Sequence, residues 1–251
     1  MSAGVVRLVA VVGILALAAG LWFLLTGLGV FSAFLLPPPA IVGAALGSVL
    51  GNGTTYRALL TTVWEILAAF ALAAAGGLAV GIPAGLHRVT RRAYEPLLSN
   101  LAAIPLIVVY PVFLAVLGVG SASKVAFGAA TAFFAVALAT LAGVGSIEPT
   151  LLTAARALGG RGTHLLRRVV IPGALPQIRN GLRLAVVLAT LAVVAGEFIG
   201  GENGLGYLLA SAGQAFRTPE VYAYVIVTLA LAAALQLGVS ALIRATERGG
   251  A

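Results

Sequence analysis

The feature that most restricts this chain is a series of apolar runs too long for a soluble core. Residues 60–86 carry Glu65 as their one charged side chain, and residues 221–243 carry none. Each run exceeds the roughly 20 residues a helix needs to cross the hydrocarbon of a bilayer. Inside lipid there is no water for backbone N–H and C=O groups, so only helices or closed barrels span it. The alternating segments of about ten residues that mark a barrel are absent from the sequence. The chain therefore reads as an all-α polytopic membrane protein, a single transmembrane unit over residues 1–251.

Composition agrees. Hydrophobic residues make up 61% of the chain and charged residues 9%, against roughly 25% charged in soluble domains. The pattern predicts six spans, at 5–26, 60–86, 97–117, 125–145, 182–199 and 221–243. The apolar run after Arg7 continues through Trp22, Phe23, Leu24 and Leu25. That is longer than the roughly 7–15 residues of a signal core, so an uncleaved first helix is expected.

The formal net charge of +8 would suit a nucleic-acid binder if it were gathered on a soluble face. Instead the charges fall between the apolar runs. With the N-terminus in the cytoplasm, the inner side receives Arg7, Arg88, Arg91, Arg92, Arg156, Arg161, Arg167, Arg168, Arg179, Arg183, Arg244 and Arg248. The outer side receives Arg57, Lys124 and Arg217. The positive-inside rule accounts for this split and predicts that both termini are cytoplasmic. No nucleic-acid partner is needed to explain the charge.

Several chemistries lack their residues. There is no cysteine and no aspartate; the seven acids are glutamates scattered along the chain, and His87 and His164 stand far apart. Metal-ligand spacing and neighbouring acid/base pairs are both missing, so no catalytic residue and no metal site is expected. No GxxxxGK[ST] phosphate loop occurs, so ATP chemistry is not expected on this chain.

Local signals refine the spans. The outer end of the first span leads to Pro37, Pro38 and Pro39, which forbid helix continuation and stiffen an exit turn, and residues 40–50 are expected to form an apolar helix too short to cross. Residues 87–92 read as a headgroup-facing turn, while Pro83, Pro105 and Pro111 are positions where a spanning helix can kink. Small residues recur at Ala71, Ala75 and Ala79 and at Gly76, Gly77 and Gly81, which permits close helix contact.

Residues 146–176 interrupt the apolar pattern with a basic, Gly- and Pro-punctuated stretch. Glu148 and Pro149 suit a helix start, where an acid complements the macrodipole. Leu151, Leu152, Ala155 and Leu158 fall on one side at helical spacing, and Gly159 with Gly160 ends the helix. A second short stretch through Leu165, Leu166, Val169 and Val170 is expected to be broken by Pro172 and Pro176 before the fifth span begins.

Within this stretch, Ala154-Ala155-Arg156-Ala157-Leu158-Gly159 is followed by Val169-Val170-Ile171-Pro172 and Gly173-Ala174-Leu175-Pro176. It resembles the cytoplasmic EAA loop of permease subunits from binding-protein-dependent ABC importers. Further matches are Leu35-Leu36-Pro37-Pro38-Pro39, Gly81-Ile82-Pro83-Ala84-Gly85, Ala103-Ile104-Pro105 and Gly204-Leu205-Gly206-Tyr207-Leu208. Together they are most similar to the nitrate/sulfonate/taurine branch.

The resemblance implies a type I ABC importer permease fold in a prokaryotic cytoplasmic membrane. It also implies that a coupling helix docks on an ATPase through Thr153, Ala154, Ala155, Arg156, Leu158, Gly159 and Pro172. Thr153 stands where the family usually has an acid. The implied partners are ATPase subunits that hold ATP and Mg, an extracytoplasmic substrate-binding protein, and a second permease copy in a homodimer. The implied cargo is a small anion such as a sulfonate, taurine, nitrate or bicarbonate; an aromatic acid or vitamin precursor is the alternative within the family.

Two acids lie in apolar spans, Glu197 and Glu65. An acid facing lipid is costly, so each either lines the path or its gate or serves as a rim or packing charge; Lys124 and Arg57 are candidate partners for Glu197. Gly204, Gly206 and Tyr207 mark an outer loop that could belong to a gate. Two rival classes have weaker support. A stand-alone secondary transporter calls for paired midplane charges or inverted repeats, and a membrane enzyme needs a cluster of reactive side chains.

Overall fold

A computed structural model describes residues 3–248, and the expectation of cytoplasmic termini falls in part on residues outside that range. The side chains of Arg7 and Arg248 also lie outside the described residues. The described secondary structure is helical throughout. In chain order the elements are α1 (Ala3–Gly27), α2 (Pro39–Leu50), α3 (Gly53–Leu86), α4 (Arg88–Ala102), a short 3-10 turn (Leu106–Val109) and α5 (Tyr110–Leu117). They are followed by α6 (Ser121–Gly145), α7 (Pro149–Ala157), α8 (Gly162–Leu165), a π-helical turn (Leu166–Val170), α9 (Ile171–Gly200), α10 (Leu205–Gln214) and α11 (Thr218–Arg248).

Four segments among the described residues are long and apolar enough to cross a membrane: Gly53–Leu86, Ser121–Gly145, Gly162–Gly200 and Thr218–Ala245. The pair α4 and α5 makes a fifth if taken as one span, and it is bent by 71°. The apolar part of α1 within the described residues is the shorter Val12–Gly27. About six spans were expected, with kinks possible at prolines; the structure gives these four, the bent pair and the shorter first helix.

Two differences arise at prolines. The span expected at 97–117 is broken at Ala103-Ile104-Pro105, because Pro105 donates no hydrogen bond and disfavours helical geometry at Ile104. The turn expected at 87–92 shrinks to His87 alone, and α4 begins at Arg88. Pro172 and Pro176, by contrast, do not break the chain: α8, the π turn and α9 run on from residue 162 to residue 200. Pro172 lies inside this continuous rod, two residues past the π turn of Leu166–Val170, rather than at a free helix start. The π turn just before it widens the backbone that its ring would otherwise strike.

The centre of the bundle is a sandwich of α3, α6 and α9. Gly77, Gly81 and Gly85 of α3 lie against Val136, Thr140 and Val144 of α6, and a Cβ at Gly81 would come within 2.6 Å of Thr140. Those partners share the 59-residue separation of Glu65 and Lys124, so α3 and α6 run parallel. The bent α4–α5 pair returns the chain between them. Gly128 of α6 meets Val193 of α9 as well as Ala69 of α3, and Gly143 meets Ala174, which makes α9 antiparallel to α6. The buried seam holds Ile66, Ala69, Ala73, Ala132, Val136, Ala185, Ala189 and Val193. Its small side chains allow the backbone approach that packs helices in lipid.

This layout gives the bundle two ends. One end gathers the end of α3, the start of α4, the end of α6 and the segment 146–170; there Arg91 donates to the Gly145 carbonyl. The opposite end gathers α2, α5, α10 and the start of α11. Trp22 stacks on Tyr222 and donates to the Pro37 carbonyl at 3.1 Å, and Tyr222 donates to the Leu35 carbonyl at 3.0 Å. Those contacts tie α1 and its proline exit to α11.

Candidate functional site

At the arginine-rich end, α7 hangs from the bundle by one side. Leu152 packs with Val144, Val170, Ala174 and Ile178, whereas Thr153, Ala154, Arg156 and Leu158 face outward. Leu158 is 89% exposed, an unusual position for a leucine just past the end of a helix. Gly159 adopts φ +86 and its N–H donates to the Arg156 carbonyl at 3.0 Å, so the helix stops on a left-handed glycine. Ala155 is half-buried and Pro172 exposed. The Thr153 hydroxyl donates to the Pro149 carbonyl at 2.9 Å, so it is occupied within its own helix.

At the opposite end lies a buried polar cluster. Lys124 of α6 and Glu65 of α3 form an ion pair at 3.4 Å, with side chains 2% and 0% exposed. The second carboxylate oxygen of Glu65 is buried without a hydrogen-bond partner. Glu197 of α9, also fully buried, accepts from the Thr62 hydroxyl at 2.7 Å and from the Gly206 N–H at 2.8 Å. Tyr110 of α5 packs on Phe127 and donates to the Gly196 carbonyl at 3.0 Å.

The structure thus brings Glu197, Gly204 and Gly206 together and places Glu65 beside Lys124. Tyr207 stays outside this cluster and is 37% exposed. The cation expected for Glu197 pairs with Glu65 instead, and Arg57 is exposed. A hydroxyl and a backbone N–H take that place for Glu197. Thr62 was missed in the sequence, although its position one helical turn before Glu65 in an apolar run was a usable signal.

Along the flank between α9, α10 and α11 runs an apolar groove of about 620 Å³, lined by Val186, Thr190, Val194, Leu209, Leu229 and Gln236 among others. Glu197 is not among its lining residues. Among the described residues no group of three or more His, Cys, Asp or Glu side chains could hold a metal ion.

A polytopic bundle of apolar helices with an outward-facing helix at its basic end defines a class, the membrane-embedded protein with a surface exposed beyond the spans. Residues 76–249 match the family described as binding-protein-dependent transport system inner membrane component, and the chain belongs to that family. It is 32% identical over 238 residues to the taurine transport system permease protein TauC of Escherichia coli (strain K12), covering 93% of this chain and 86% of the relative. It is also 32% identical over 212 residues to the putative aliphatic sulfonates transport permease protein SsuC of Bacillus subtilis (strain 168), covering 84% and 77%. A chain of the MetNI methionine ABC transporter, in an inward-facing conformation, shares the fold at TM-score 0.62 and 20% identity, over 77% of this chain and 98% of that one. The chain is a permease subunit of an ATP-driven ABC importer, an inner-membrane component, and ATP hydrolysis belongs to separate subunits. Membership of the family implies ATPase and substrate-binding-protein partners.

Proposed function

We propose that this permease moves a small organic sulfonate, taurine in the first instance, from a binding protein into the cytoplasm. In this reading its segment 146–176 is the part that docks the ATPase. The observation that carries the docking role is the outward face of α7, where Thr153, Ala154, Arg156 and Leu158 are exposed beside a bundle that holds only the Leu152 side. Leu158 supplies an apolar anchor and Arg156 a charge-assisted donor, the mixture found at protein contacts. ATP and Mg reside on that partner. The arginine-rich end faces the cytoplasm, and two copies of the chain enclose the path. Support for the sulfonate class comes from the names of the relatives at 32% identity.

The test is reconstitution in vesicles with the ATPase and binding protein. Taurine should be taken up and should stimulate ATP hydrolysis; uptake of an aromatic acid but not taurine would overturn the substrate class. Gly159→Val forces a branched side chain into φ +86 and re-aims the end of α7. Transport should fall by about tenfold or more, as expected for a lost protein contact worth about 1.4 kcal/mol, with membrane insertion intact. Wild-type coupling in that variant would sink the docking role.

A further inference from the structure

The N-terminus of α10 has no cap of its own, yet its first two donors are satisfied. Residue 204 is a glycine at φ +105 and contributes no side chain. Leu205 N–H donates to the Thr62 hydroxyl of α3 at 2.9 Å, and Gly206 N–H donates to the Glu197 carboxylate of α9 at 2.8 Å. The Thr62 hydroxyl donates onward to the other oxygen of the same carboxylate at 2.7 Å. A local cap has no room here. A Cβ at position 204 would lie 2.0 Å from Glu197 Oε1, and one at Gly206 would lie 2.4 Å from the Val194 carbonyl. The usual Ser, Asp or Asn cap is replaced by one that exists only while α3, α9 and α10 are assembled.

The helix that supplies Glu197 is also continuous, through the π turn, with the segment that follows α7. α9 is therefore a rod joined to the docking loop at one end and to the start of α10 at the other. A shift of the rod moves Glu197 relative to Thr62, and the linked hydrogen bonds between them have a short reach.

We propose that Thr62 and Glu197 form a tertiary cap through which movement of the docking loop reaches the opposite mouth of the bundle. With the cap closed, segment 201–214 is held against α3. When α9 shifts, the donors of Leu205 and Gly206 are released and that segment is freed. Glu197 is then a positioning residue for transport and does not touch the solute. This inference rests on the docking role of segment 146–176.

The test uses the reconstituted complex with taurine as the solute. Thr62→Val and Glu197→Leu should assemble with the ATPase but raise the ATP consumed per taurine moved by about tenfold, the effect of one buried donor left unpaired, Leu205 N–H in the first and Gly206 N–H in the second. The taurine concentration at half-maximal uptake should not change. Thr62→Ser keeps the hydroxyl and should restore coupling, and the double variant should be no worse than the poorer single one. Normal ATP consumption in both assembled single variants would overturn the cap; so would a shifted half-maximal concentration at normal stoichiometry, which marks Glu197 as a solute contact. Hydrogen exchange in the unaltered complex needs no variant: the Leu205 and Gly206 amides should exchange faster in one of the nucleotide-free and nucleotide-trapped states. Equal protection in both states, beside an uncoupled Gly159→Val complex, would remove the cap and leave the docking role standing.

Discussion

Lys124 is an ammonium group buried in the membrane part of the bundle, and Glu65 keeps it there. Bringing both ions out of water carries a desolvation penalty that their attraction roughly offsets, so the pair adds little net stability; separating it is what costs. Lys124→Met should leave the Glu65 carboxylate buried and unpaired, destabilising the protein by about 3–5 kcal/mol. Replacing both groups, as Lys124→Met with Glu65→Leu, should recover most of that loss. Thermal unfolding in detergent reads both variants, and a double variant no more stable than Lys124→Met would show that the charges do more than satisfy one another. The sequence already marked Glu65 as an acid in need of a partner. It could not say which cation, because that depends on the parallel register of α3 and α6, and α4 and α5 set that register through a bend between them. A second register, that of α3 against α9, hid Thr62 from Glu197, 135 residues away.

Among the elements, α6 is held most closely, since the backbones of both α3 and α9 approach it. Gly81 of α3 has Thr140 Cβ at 2.6 Å and the Ala137 carbonyl at 2.7 Å from a notional Cβ, so no rotamer change could admit a larger residue. Gly81→Leu should force α3 and α6 apart, costing about 1–3 kcal/mol or more, and should give aggregated material on detergent extraction. Gly43→Leu in α2, where nothing lies within 4 Å of the added Cβ, should behave as the unaltered protein. A monodisperse Gly81→Leu protein would mean that this packing is loose. Of the small-residue repeats expected to make close contacts, Gly77 and Gly81 lie in this seam together with Gly85, whereas Ala71, Ala75 and Ala79 are exposed, because spacing reveals a face but not which face a neighbouring helix covers. Helix ends at prolines were less legible: Pro105 breaks a span while Pro172 is carried through one. Each outcome depends on the backbone ahead of the ring. Pro172 has a π turn before it, and no property of Leu166 to Val170 announces that turn in the sequence.

For the molecule as a whole, the distribution of charge argues for one orientation in the bilayer. Arg88, Arg91, Arg92, Arg156, Arg161, Arg167 and Arg168 lie in the segments gathered at the α7 end. At the other end Lys124 is neutralised by Glu65, and Arg217 donates to Glu220 at 2.7 Å, which leaves Arg57 as an exposed cation there. Moving one positive charge outward against a potential of about 100 mV costs about 2.3 kcal/mol, and the arginine cluster multiplies that cost. Insertion with the α7 end inside avoids it. The chain contains no cysteine, so single cysteines report sidedness without a background. Thr163→Cys, exposed beside α7, should react with a membrane-impermeant maleimide in inverted vesicles and stay unlabelled in intact cells. Asn203→Cys, exposed between α9 and α10, should show the reverse. Labelling of Thr163→Cys from outside would place α7 beyond the reach of a cytoplasmic ATPase, and the docking role would fall with the orientation.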